Sequence, residues 1–352
     1  MAQEVNRSMS LSNPHPPFTD GIQKLMAGFG GVGLLMMLLA SVGNLPSMGL
    51  SIGQLLTFSL VLISIGTIGY AWRAYLTKSA GIKNDGVWFS GLASRGVMGW
   101  TSGIVLTGFY VLLYWFPQYL GQGSDEVANS GLVAFFDPLS QLLKGQPASQ
   151  WFVYGTLYTI AILIFGIKFI WKYRHNKYQV LRTISVMFFQ LGFAYLIPEF
   201  MANMNVPYND MKNMWPLNYY FFDDWNIKGF IASGGIGLFM LILGIAMIFV
   251  ISPILTYKYG KRWYCSWVCG CGGLAETAGD PFRHLSDKSL KAWQIERWLI
   301  HLVLLFSIIM TVAVVYSLMH NNPETFWINK TTFMFIIALI LLGGIVFSKV
   351  KP

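Results

Sequence analysis

Residues 230–280 read FIASGGIGLFMLILGIAMIFVISPILTYKYGKRWYCSWVCGCGGLAETAGD. A long run of hydrophobic residues gives way to Lys258, Lys261 and Arg262, and every cysteine of the chain, Cys265, Cys269 and Cys271, comes immediately after. At about 1.5 Å per residue, roughly 20 residues cross the ~30 Å hydrocarbon core of a bilayer. The stretch therefore predicts a transmembrane helix over 230–257 that delivers a thiol-rich loop to a basic membrane face.

The composition extends that reading to the whole chain. Of 352 residues 55% are hydrophobic, 16% aromatic and only 11% charged, and the mean hydropathy is +0.53. No soluble domain of this length buries so much apolar surface. The fold class expected is an all-α, polytopic transmembrane helix bundle. The net charge of +9 sits in short loops between apolar spans, where it orients a membrane protein. No nucleic-acid partner is expected; the surrounding partner is membrane lipid.

Working outward, the other spans are predicted at 22–42, 50–70, 97–119, 151–171, 180–201, 298–319 and 332–347, eight in all. Glycines 28, 30, 31 and 33 in the first suit close helix packing. Arg73, Lys78, Lys83 and Arg95 lie after the second span, and Lys172, Arg174, His175 and Lys177 after the fourth. The loops after the third and fifth carry Asp125, Glu126, Asp137, Asp210, Asp223 and Asp224. This alternation predicts both termini on the cytoplasmic side. The division expected is a cytoplasmic tail over 1–21, a five-span domain over 22–202, an aromatic outer loop over 203–228, and a three-span domain over 229–352 carrying the cytoplasmic cysteine loop 262–285.

Thiolates are soft ligands for metals and iron–sulfur clusters. If the sixth span stays helical past Lys261, Cys265 and Cys269 fall at i and i+4 on one face. The glycines around Cys271 then fold the third sulfur back toward them. Gly270, Gly272 and Gly273 let backbone N–H groups approach a cluster, while Arg262, Trp263 and Trp267 form its surroundings. The plainer alternative is three buried small hydrophobes or sites of palmitoylation.

The run RWYCSWVCGCGGLAE resembles the C-x3-C loops of membrane-bound polyferredoxin-type 4Fe-4S electron-transfer proteins, which include membrane components accompanying periplasmic nitrate reductase and nitrous oxide reductase. The likeness covers about twenty residues. It implies an iron–sulfur cluster on Cys265 and Cys269 and a place in the bacterial cytoplasmic (inner) membrane. It also implies electron transfer between a quinol or cytoplasmic donor and a redox partner or larger membrane complex. Gly270 stands where those families usually have proline, Cys271 is additional, and no second C-x3-C loop or ferredoxin-type cysteine run occurs in the chain. Either such a domain is lacking, or a longer chain carries it beyond Pro352.

A 4Fe-4S cluster takes four ligands, so His284, Asp280 and Glu276 are candidates for the fourth. His301 and His320 are candidate haem b ligands, but about 28 Å of helix separates them, so each would need a partner elsewhere. Tyr195, Glu199 and Gln190 in the fifth span form a candidate quinol or proton site. The alternative there is that Glu199 and Arg182 snorkel to the headgroups.

Two functions stand as expectations. The first is an electron-transfer subunit of an oxidoreductase system, rather than an enzyme by itself. The second is a structural, metal-handling or transport subunit whose cysteine loop binds metal without redox turnover.

Overall fold

The computed structural model describes residues 20–43, 49–76, 80, 96–124, 126–206, 221–260, 262–285 and 289–320. Among the described residues all regular structure is helical. Six helical stretches are long and apolar enough to cross a membrane: Gly21–Ser41, Ile52–Leu76, Gln150–Lys172, Lys177–Asn203, Gly234–Tyr259 and Leu290–Ile309. By length and composition these six are candidate membrane spans. The eighth expected span, 332–347, lies outside the described residues.

Helix α1 is Gly21–Ser41 and α2 is Ile52–Ala71. Asp20 caps α1 and Ser51 caps α2, the latter in a reciprocal capping box with Gln54, so unsatisfied amides at both helix starts find acceptors. The two helices pack tightly. A Cβ on Gly33 would lie 2.7 Å from the Ser59 carbonyl oxygen, and the Ser59 hydroxyl donates to the Gly33 carbonyl at 2.8 Å. Gly28 and Gly31 face open space instead, so only part of the glycine run serves this contact.

Helix α3, Gly96–Trp115, overlaps the stretch 97–119 expected as the third span. The connection from α3 to the next span is more than a polar loop. Short helices α4, Gly131–Phe135, and α5, Asp137–Lys144, fold back into the bundle. Leu132, Val133, Phe135 and Phe136 join a core with Met37, Leu55, Leu113, Phe152 and Tyr195. Asp137 accepts from the Ala148 amide and the Asn129 side chain at 2.7 Å each. It is therefore a structural hub and not a solvated loop acid.

Helix α6 is Gln150–Lys172, capped by Ser149, and α7 is Lys177–Phe188, capped by Asn176. Beyond α7 the helix widens into a π turn over Phe189–Leu196 before α8, Ile197–Asn203. Pro198 stands in the first turn of α8. Proline cannot donate to the preceding turn and its ring crowds that carbonyl, and a local π segment absorbs the conflict. The same device recurs where α10, Gly234–Ala246, passes through a π turn at Met247–Ile251 ahead of Pro253 in α11, Ser252–Tyr259. Helix α9, Asp224–Ala232, precedes α10 and breaks from it at Gly234, whose φ is +68°. The expected aromatic loop is thus helical from Asp224, and residues 207–220 lie outside the described set.

The apolar core joins the C-terminal ends of α1 and α3 to the N-terminal ends of α2 and α6, so these helices alternate in direction. At the opposite end Arg73 pairs with Asp20, and Arg174 donates to the Tyr75 carbonyl at 3.2 Å. The bundle therefore has a core end, near Ser149, and a basic end, near Lys172. Arg73, expected in a loop, lies in a π turn, Trp72–Leu76, that prolongs α2.

The chain divides into two compact units, Met1–Met214 with Asn226–Ser286, and Trp215–Trp225 with Asp287–Pro352. The cysteines belong to the first. Among its described residues the second contains one long helix, Leu290–His320, which begins ahead of the expected 298.

Candidate iron–sulfur site

The cysteine segment does not continue the preceding helix. Gly260, with φ +84°, ends α11, and two short helices come next, α12 over Trp263–Trp267 and α13 over Gly270–Thr277. Cys265 lies inside α12, whereas Cys269 is the extended residue (φ −71°, ψ 123°) that precedes α13. The expected i and i+4 placement on one helix is therefore corrected. The glycines do not make a flexible turn either; they form the first turn of α13.

Their spacing has a packing cause. α13 lies in the groove between α6 and α7. A Cβ on Gly270 would stand 2.5 Å from Gln190 Oε1, 2.7 Å from Ile162 Cδ1 and 2.9 Å from Tyr158 Cε1. A Cβ on Gly273, three residues on and on the same helix face, would collide with Val186 Cγ1. A turn later Glu276 pairs with Arg182 of α7, and then Asp280 pairs with Lys172 of α6. The segment thus climbs along α6 and α7 toward the basic end.

α13 begins alongside the middle turns of α6. Gly270 meets Tyr158, eight residues into α6 and fourteen short of Lys172, or about 12 Å and about 21 Å along the axis. Gly270 also meets Ile162, so α13 starts part-way along α6, between its two ends.

Two of the three sulfurs meet. Cys269 and Cys271 are in side-chain contact, and that contact, reinforced by burial, pushes the Cys269 thiol well above the usual cysteine range. The backbone amides of Cys271 and Gly272 oppose this by favouring the thiolate. Cys265 and Cys271 are both exposed and Cys269 is half-buried; the Cys265 backbone is close to the pair, because a Cβ on Gly272 would collide with the Cys265 carbonyl oxygen. Among the described residues no three His, Cys, Asp or Glu side chains are gathered as a metal-holding group. The cysteines form a pair plus one.

The proposed fourth ligands are placed elsewhere. Glu276 is held by Arg182, and Asp280, buried, is held by Lys172 and by the Tyr173 hydroxyl at 2.8 Å. His284 falls in the 3-10 turn Asp280–Leu285, its side chain outside the described set. Arg262 flanks α12; the Trp263 indole donates to Thr256 at 3.0 Å. Trp267 sets its ring edge-on to Tyr178 at 5.7 Å and accepts at its carbonyl from Ser185 at 2.8 Å.

The residues grouped as a quinol site separate. Gln190 belongs to the cysteine site, its amide donating to Thr159 at 3.0 Å and its oxygen against Gly270. Tyr195 shares a 2.7 Å hydrogen bond with Thr156. Glu199 is buried beside Lys144, 3.8 Å away, with Oε2 lacking a hydrogen-bond partner. Neither Glu199 nor Arg182 snorkels; both are buried within the unit. His301 is exposed on α14, Leu290–His320, and the side chain of His320 lies outside the described set.

Residues 237–289 match a family model described as a 4Fe-4S binding domain. The matched stretch contains all three cysteines. No curated protein and no solved structure matches the chain. The chemistry of the donors suits such a cluster: three thiols on one short segment, two of them in contact, amides that favour the Cys269 thiolate, and a Tyr158 hydroxyl facing Cys271.

Sequence reasoning passed over Tyr158, Lys168 and the partner role of Lys172. Lys168 and Lys172 are both buried on one face of α6, and Lys168 Nζ has no hydrogen-bond partner. Two lysines four apart inside an apolar span, with an aspartate closing the cysteine segment, were the available signal.

Proposed function

We propose that this chain is an electron-transfer protein of the bacterial inner membrane, passing single electrons between a quinol or cytoplasmic donor and a partner complex. Cys265, Cys269 and Cys271 hold the iron–sulfur cluster in this reading. The observation that carries it is the coincidence of the 4Fe-4S match with a cysteine segment that is built into the helical unit. A 4Fe-4S cluster supplies one-electron redox capacity at a potential tuned by hydrogen bonds and burial.

The protein's own residues do the positioning. Gly270 and Gly273 bring α13 against α6 and α7, and the Arg182–Glu276 and Lys172–Asp280 pairs hold its far end. The Cys271 and Gly272 amides and the Tyr158 hydroxyl offer donors to thiolate sulfur, stabilising the charged form of the ligands. Loading the site releases the thiol protons of the cysteines.

The exposed positions of Cys265 and Cys271 favour a second reading, a thiol site that binds metal without redox turnover. Anaerobic purification separates the two. The electron-transfer reading expects iron and sulfide with absorption at about 400 nm and an EPR signal on reduction, all lost in Cys269→Ser. Bound metal without sulfide or a reducible signal supports the second reading and overturns the first.

A further inference from the structure

We propose that electrons reach or leave the cysteine site through a ladder of aromatic rings that runs from Tyr158 to Trp151, toward the core end of the bundle. The proposal rests on the electron-transfer reading above and gives it a direction. Tyr158 packs on Gly270 and faces Cys271. Its ring stacks on Tyr154 at 5.3 Å between centroids, and Tyr154 meets Tyr114 of α3 edge-on at 5.7 Å. Tyr114 stacks on Tyr110 at 4.5 Å and meets Trp151 edge-on at 4.9 Å. Trp151 is 51% exposed, so the ladder opens at the surface.

The geometry arises from helix periodicity. Residues 151, 154 and 158 recur at i, i+3 and i+7, so they line one face of α6, and Tyr110 and Tyr114 present the matching face of α3. Each centroid separation lies within or near the 4.5–7 Å range of interacting aromatic pairs. In the other direction, Ile162, Val186 and Met187 line the next turn, and saturated side chains present a higher tunnelling barrier than π systems. Simple packing would be served by any large apolar side chain; a conduit requires the rings.

The redox step is a one-electron exchange: the cluster is oxidised by one electron, the acceptor is reduced by one, and no bond is made or broken. The rings serve as a bridge and are not themselves oxidised. Ferricyanide is a suitable acceptor, since it takes up one electron without a proton.

The test is stopped-flow oxidation of the dithionite-reduced, full-length protein in lipid nanodiscs by ferricyanide, monitored through cluster absorption. Tyr154→Leu and Tyr114→Leu are expected to slow oxidation about tenfold, while Tyr154→Phe and Tyr114→Phe keep the native rate. The EPR spectrum and midpoint potential stay unchanged in all four. Native rates in both leucine variants, or equal slowing in the phenylalanine variants, overturn the ladder and leave the electron-transfer reading standing. Should Tyr154→Leu lose the cluster, Tyr114→Leu, which lies beyond contact with the cysteines, decides alone. A native protein without a reducible cluster overturns both proposals.

Discussion

Lys172 of α6 and Asp280 at the close of the cysteine segment form a buried ion pair, and Tyr173 donates to the second carboxylate oxygen at 2.8 Å. The pair joins residues 108 positions apart and sets the height at which α13 sits along α6. Removing one partner strands a charge in an apolar setting, at a cost of about 3–5 kcal/mol. Asp280→Asn is therefore expected to lower the thermal midpoint and expose the 262–285 segment to protease. The double replacement Lys172→Met with Asp280→Leu restores most of the loss, because it removes both charges together. Thermal unfolding in detergent beside limited proteolysis measures both effects.

The groove contacts of α13 make a second prediction. Gly273→Ala places a methyl against Val186 and is expected to destabilise by about 1–3 kcal/mol, the usual range for overpacking. Val186→Ala in the same chain removes the colliding atom and recovers most of the cost. Denaturant unfolding of the two single variants and the double gives the coupling, which should be favourable and comparable to the single penalty.

The thiol pair makes a third. Contact with Cys271, and burial after it, raise the Cys269 pKa, so in the metal-free protein the thiol keeps its proton at pH values where an ordinary cysteine has begun to lose it. Alkylation depends on the thiolate. Its rate at Cys269 is expected to rise only at pH above the usual cysteine range, and Cys271→Ala shifts that profile to lower pH. Mass-spectrometric mapping of iodoacetamide adducts against pH checks it; an unchanged profile in Cys271→Ala excludes the contact as the cause.

At the basic end, Arg73 holds the Asp20 carboxyl below its ordinary pKa. A carboxylate with a depressed folded pKa contributes stability above its unfolded pKa, and that contribution is lost as pH falls through the folded value. Asp20→Asn is therefore expected to lower the melting temperature at neutral pH. The two curves converge as the medium is acidified below the carboxylate range.

Much of the helical scaffold was legible because long apolar runs carry their own signal. The described spans begin and end within a few residues of the hydrophobic limits in five cases, and Ser149 and Asn176 cap helices in the way such residues do at helix starts. The α4 segment was not legible as core: five residues between acidic neighbours are too short for periodicity, and only their burial against Phe152 and Leu113 gives them meaning. The place of α13 along α6 was hidden for a different reason. Sequence separation says nothing about which helix α13 enters, and the i, i+3 pair Gly270 and Gly273, the mark of a close-packed helix face, also suited a turn. Glu276 and Asp280 looked like spare ligands because their basic partners lie about a hundred residues earlier.

The burial of Leu132, Val133, Phe135 and Phe136 bears on how topology can be mapped. Reporter enzymes or epitope tags are customarily spliced into whatever joins two membrane passes. An insertion between Gly131 and Phe136 would sever a load of side chains from the interior and yield a misfolded fusion whose signal reports degradation instead of sidedness. Ser124 and Val127, which exchange a pair of backbone hydrogen bonds, flank a safer attachment point on the same connection.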